Sequence, residues 1–140
     1  MKILFVGVCD IEWSTNVPMV DALVSLGHEV DIFNYRTFFQ KVSQSKFKLI
    51  DRATSFLRSV EYLPDTVKYL YYILNGRQKV SQELVRICKA QTFDLIILSK
   101  TDIIDPRILI QLNTFSKTWY FFMDPPYVSK MIGAKNYAKY

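Results

Sequence analysis

Apolar and polar positions fall into blocks along this chain, and the blocks carry two different periods. Ile3 to Val8 is a near-continuous apolar run rich in β-branched residues, closing at Gly7-Val8-Cys9-Asp10. That composition predicts a parallel strand buried on both faces. A polar loop, Asp10 to Asn16, comes next. Val17, Val20, Leu23 and Val24 then recur at i, i+3, i+6 and i+7, the spacing of one helix face. Thr15 or Asn16 can cap this helix, and Pro18 lies in its first turn, where a missing N–H is harmless. Gly27 is placed to end it as a left-handed C-cap. Glu29 to Asn34 reads as a second strand, completing a β–α–β start.

From 36 to 91 the helical period continues. Ile50, Ala53, Leu57 and Val60 form one stripe. Val67, Leu70, Tyr71 and Leu74 form another, and Val80, Leu84, Ile87 and Cys88 a third. Pro64 divides the first two helices. Asp94 to Ser99 is a third buried strand. Asp105-Pro106 starts a helix through Leu112, with Asp as cap and Pro at the first position. Trp119 to Met123 is a fourth strand, stopped by Asp124-Pro125-Pro126, and Tyr127 to Tyr140 returns to a helix. Strands alternating with helices imply an α/β fold: a Rossmann-like three-layer αβα arrangement, with a parallel sheet of about four strands and a helical insertion between strands two and three. The 140 residues are expected to make one domain, with 36–91 a helical basic region inside it.

Composition narrows the function classes. Only 22% of residues are charged and half are hydrophobic, which excludes a disordered chain. Cys9 and Cys88 stand far apart, and His28 is the lone histidine, so no metal site is expected. Both cysteines read as small hydrophobes in a reducing compartment. No stretch resembles a signal peptide, and no apolar run approaches the ~20 residues of a membrane-spanning helix. A cytoplasmic protein is expected. The net charge of +5 is unevenly placed: residues 36 to 79 hold nine basic and three acidic side chains, a net +6, so the remainder nets −1.

In open parallel sheets, ligands sit beyond the carboxyl ends of the strands. Those ends supply Cys9-Asp10 with the loop to Asn16, then Asn34-Tyr35-Arg36, Ser99 to Asp102, and Met123 to Pro126. The first loop fails as a phosphate cradle. A dinucleotide fingerprint needs three glycines, and here Gly7 stands alone, with Cys9 and Glu12 in the other two places. A P-loop ending is absent, and Asp10 and Glu12 would repel a phosphate. What remains is Asp10, Glu12, Trp13, Ser14, Thr15 and Asn16. An indole beside hydroxyls and carboxylates suits a sugar, whose CH face stacks while its hydroxyls donate to the acids. The plainer alternative is that Trp13 packs under the loop and Asp10 or Asn16 merely caps the helix. Asp124 closes the fourth strand and could serve as general base toward a substrate hydroxyl; its alternative is a cap or turn role. Lys100 and Asp102 could hydrogen-bond a polar ligand or simply face solvent. His28 reads as a surface residue at a helix end.

The basic region interleaves its cations with Phe38, Phe39, Phe47, Phe56, Tyr62, Tyr69, Tyr71 and Tyr72. Such helices can lie peripherally on an anionic membrane or meet a protein partner; nucleic acid is not an expected partner. The plainer reading, which we favour, puts the apolar stripes against the sheet and the lysines in solvent. A receiver-like signalling domain fits poorly, because the third strand ends Leu98-Ser99-Lys100 where a phosphorylatable Asp would stand.

Three stretches then resemble one family. Met1-Lys2-Ile3-Leu4-Phe5-Val6-Gly7, with Pro18, Ala22-Leu23 and Leu26-Gly27-His28-Glu29-Val30, is similar to the opening of GT-B-fold glycosyltransferases of family four. Thr92-Phe93-Asp94-Leu95-Ile96-Ile97 resembles a strand of those enzymes, with Phe93 in place of the usual Pro. Trp119 to Pro126 resembles the Asp-terminated strand of the CgeB-like, spore-maturation-type branch. The resemblance implies a two-domain transferase of which this chain is the N-terminal, acceptor-binding half, inactive alone. The nucleotide-sugar donor would sit on a C-terminal catalytic domain, so no cofactor is expected on this chain. Asp124 becomes the candidate base, and Asp10, Glu12, Trp13, Ser14, Asn16, Lys100 and Asp102 become candidate contacts to a sugar or lipid-linked acceptor. The rival class is a non-catalytic binding module that uses the basic aromatic face.

Overall fold

The computed structural model describes residues 1–43, 77–99 and 104–121. Within them the chain runs β1 (Lys2–Val6), α1 (Asn16–Ser25), β2 (Glu29–Phe33), α2 (Tyr35–Ser43), α3 (Arg77–Ala90), β3 (Leu95–Ser99), α4 (Ile108–Phe115) and β4 (Lys117–Phe121). The strands form one parallel sheet in the order β2-β1-β3-β4. Ile3 pairs with Val30 on one side and Leu95 on the other, and Leu95 pairs with Lys117. The fold is therefore α/β, with helices over a four-stranded parallel sheet. Of the insertion between the second and third strands, α2 and α3 are the described ends; residues 44–76 lie outside the described residues, as does the C-terminal helix expected over 127–140.

The two sheet faces are covered unequally. Leu4, Val6, Ile96 and Leu98 point to the face carrying α2, α3 and α4, where they meet Val80, Leu84, Cys88, Leu109 and Leu112. Ile3, Phe5, Leu95 and Ile97 point to the opposite face, where Val20 of α1 packs on them. β1 and β3 are central and buried on both faces, which explains their uninterrupted apolar sequences. Burial of the Cys88 side chain pushes its thiol up to about 11, so it behaves as a core hydrophobe.

Element ends follow local chemistry. α1 closes in a Schellman motif: the Gly27 N–H reaches Val24 O at 2.9 Å, the His28 N–H reaches Leu23 O at 3.2 Å, and Gly27 sits at φ 81°. α4 begins later than the Asp105-Pro106 signal predicts and runs on to Phe115. Asp105 and Pro106 instead form a turn whose carbonyls accept from Ile108 and Leu109, while the Asp105 carboxylate accepts from the Arg107 N–H at 3.0 Å. The Asp105 N–H in turn donates to Ser81 Oγ at 3.0 Å, tying the exit of β3 to α3.

β4 occupies Lys117–Phe121, two residues earlier than the apolar run Trp119 to Met123 suggests. As an edge strand it tolerates Lys117 and Thr118 on the pairing register with Leu95 and Ile96, whereas apolarity alone marks only buried strands. At the amino end of the sheet, Lys2 collects the Asp94 carboxylate on its N–H (2.7 Å) and Gln91, Glu29 and Asp31 on its ammonium. These are exposed pairs of small individual value.

Replacing Gly27 by Ala should lower stability by about 1–2 kcal/mol, because a Cβ is disfavoured at that positive φ. Gly27→Asn should lose less, and urea denaturation midpoints of the two variants would check the order.

Candidate functional site

Connections leave β1 and β3 toward opposite sides of the sheet, so the carboxyl ends of these neighbouring strands bound the crevice where such sheets receive ligands. The loop after β1 crosses that crevice. Its inner half is tied by internal hydrogen bonds. Asn16, the first residue of α1, is only 6% exposed and turns its amide inward. Its Nδ2 donates to Val8 O at 3.0 Å, and its Oδ1 accepts from Ser99 Oγ, the last residue of β3, at 2.5 Å. Ser14 Oγ also donates to Val8 O, at 2.7 Å, and accepts from the Asn16 N–H at 3.3 Å. The Val8 carbonyl thus spends both lone pairs, and the amide of Asn16 pairs at both ends.

Gly7 makes this possible. A Cβ there would stand 2.8 Å from Phe5 Cε1 and 2.9 Å from Asn16 Nδ2. The glycine lets the Asn16 side chain lie across the end of β1 to reach β3. The space above Gly7, where a phosphate would approach a glycine-rich turn, is filled by that amide.

Neither Thr15 nor Asn16 caps α1 through its side chain. Thr15 already has helical φ and ψ, and the Val17 N–H goes to Ser14 O at 3.1 Å. The helix start is fixed by the loop rather than by a capping side chain, and Asn16 is committed to the crevice.

The outer half of the loop faces solvent. Trp13 is 83% exposed, so it does not pack under the loop. Asp10 and Glu12 are exposed beside it in sequence. Asp10 is held from the side of β2: Thr37 Oγ1 donates to its Oδ2 at 3.2 Å, and the Asn34 side chain hydrogen-bonds it as well. Asn34 also accepts on Oδ1 from the N–H groups of Arg36 (3.1 Å) and Thr37 (3.3 Å), capping α2. The Asn34 hydrogen bond, with help from the Asp10 backbone, Thr37 and the Arg36 charge, holds the Asp10 carboxyl below its ordinary 3.8 against slight desolvation. Asp10 is thus ionised and fixed as an acceptor. Of the sequence-derived candidates, Asp10, Glu12 and Trp13 present outward chemistry, while Ser14 and Asn16 hold the loop. Asp124, Lys100 and Asp102 lie outside the described residues. Asn34, Thr37 and Ser99 belong to this constellation as supports. Asn34 and Ser99 carried a sequence signal, as residues at the carboxyl ends of the second and third strands; Thr37 carried none.

The basic region contributes α2 here. Phe38 and Phe39 pack partly buried against the core, and Arg36 and Lys41 are exposed. No described helix is long and apolar enough to cross a membrane.

Three outcomes follow from this geometry. Ser99→Ala and Asn16→Ala should each cost about 1–3 kcal/mol, since each strands a buried polar partner; chemical denaturation would measure the loss. In Asn34→Ala, α2 loses its cap at a cost of about 1 kcal/mol, and the Asp10 carboxyl should titrate closer to its ordinary value by carbon-detected NMR. Because the folded carboxyl lies below 3.8, its stabilising contribution is complete above that value and is lost as pH falls below it.

No protein-family model matches this chain, and no curated protein or solved structure compared with it does so either.

Proposed function

We propose that this chain is the acceptor-side domain of a GT-B-type glycosyltransferase. It would hold a glycan or lipid-linked sugar at the loop after β1, while a C-terminal domain binds the nucleotide-sugar donor. The observation that carries the reading is the exposed indole of Trp13, adjoining two exposed carboxylates at the carboxyl end of a central parallel strand. An indole left in water offers an apolar face of the size of a sugar ring, and the ionised Asp10 accepts from sugar hydroxyls. Support also comes from the three sequence stretches that resemble the family.

In this scheme Asp124 takes the proton from the attacking acceptor hydroxyl. The acceptor oxygen bonds to the anomeric carbon of the donor sugar, and the bond from that carbon to the nucleoside diphosphate breaks. With a lipid-linked acceptor, the cations of residues 36–79 would face the anionic membrane surface.

The 140-residue chain, titrated with a panel of oligosaccharides and followed by tryptophan fluorescence and NMR, should bind at least one glycan. Trp13→Ala should weaken that binding about tenfold, equivalent to roughly 1.4 kcal/mol. Unchanged affinity in Trp13→Ala, or no glycan bound at all, would sink the proposal. In a protein extended by the donor domain, Asp124→Asn should abolish turnover and leave acceptor affinity intact.

A further inference from the structure

The exposed indole stands on a closed turn. The Ser14 N–H donates to Ile11 O at 2.9 Å, which makes Ile11–Ser14 a β-turn with Glu12 and Trp13 at its two central positions. The Trp13 ring stands clear of the surface at the tip of that turn. A tip of this kind is fixed only as firmly as its two flanks.

Ser14 is the flank on the α1 side, and each of its polar groups has a partner inside the domain. Its N–H closes the turn, and its carbonyl accepts from the Val17 N–H at 3.1 Å. Its hydroxyl donates to Val8 O at 2.7 Å and accepts from the Asn16 N–H at 3.3 Å. Val8 lies two residues past the end of β1, so this flank is joined to the sheet. Asp10 is the flank on the β2 side. Thr37 Oγ1 donates to its Oδ2 at 3.2 Å. Thr37 is the third residue of α2, and its own N–H donates to Asn34 Oδ1 at 3.3 Å. The hydroxyl that grips Asp10 is thereby set by the cap of that helix. Only Ile11, Glu12 and Trp13 lie between the two ties.

We propose that Ser14 and Thr37 are positioning residues for Trp13, holding its turn from opposite flanks in one arrangement before a ligand arrives. Both act through the turn. The Ser14 hydroxyl is occupied as donor and as acceptor, and Thr37 gives its hydroxyl proton to Asp10. A platform ordered in advance loses little conformational freedom when a sugar stacks on it, so the firmness of the two ties is read out in affinity. That consequence for affinity rests on the sugar-binding reading of Trp13; the fixing of the turn does not.

Amide nitrogen relaxation on the full 140-residue chain tests the assignment. Glu12 and Trp13 should show order parameters near ~0.85, as rigid backbone does, and in the double variant Ser14→Ala, Thr37→Val they should fall below ~0.6. The amides of β1 and α1 should keep their values, which shows that the fold persists. Thr37→Ser, which retains the hydroxyl, should match the parent. An oligosaccharide bound by the parent should bind the double variant about tenfold more weakly, through the ordering now left to the binding step, and bind Thr37→Ser as the parent does. Unchanged order in the double variant would overturn the proposal, because the turn would then hold itself. So would a parent in which Glu12 and Trp13 already move as flexible backbone. Lost order with unchanged sugar affinity would overturn the positioning role. A parent that binds no oligosaccharide would count against the sugar reading alone, and the order parameters would still decide whether the two ties hold the turn.

Discussion

The hydrogen bond from Ser99 to Asn16 is the constraint around which the carboxyl end of the sheet is organised. It joins the last residue of β3 to the first of α1, across the end of β1, in a place where both side chains are buried. Neither group could give up water there without a partner. Having found each other, they dictate much else. Position 7 must be glycine-sized, because the Asn16 amide passes against it. Ser14 must fold back to share the Val8 carbonyl. α1 must begin where Asn16 can face inward, so its first turn is set by a tertiary contact and not by a local cap.

That arrangement divides the loop from Asp10 to Asn16 into two kinds of chemistry. The inner side is internally paired, the Asn16 amide and the Ser14 hydroxyl both turned to the Val8 carbonyl. The outer side is wet, acidic and aromatic. A phosphate cradle would require the reverse: bare backbone N–H groups pointing out from a glycine-rich turn at a helix start. Asn34 and Thr37 hold the Asp10 carboxylate from the neighbouring β2–α2 corner.

The fold was readable where burial is symmetric and the residues' reasons are local. β1 and β3 announce themselves as continuous apolar runs, and Gly27 marks its own left-handed turn. β4 was readable only in outline, since an edge strand carries Lys117 and Thr118 that hydropathy takes for loop. Asn16 shows the deeper limit. A polar residue before an apolar helix reads as a cap, and its true partner, Ser99, is 83 positions away. Trp13 lay between: its type left open a stacking platform or a residue packed beneath the loop, and the exposure of its ring rules out the second.

The pairing of β1 with β3 also has a meaning in time. Ile3 meets Val30 across 27 positions, but meets Leu95 across 92. Closing the longer loop costs only about 1 kcal/mol more in chain entropy, yet during synthesis the delay is absolute. Until β3 emerges, the strand that becomes the centre of the sheet is an open edge, apolar on both sides. The nascent chain must carry that exposed edge through the making of the entire basic region.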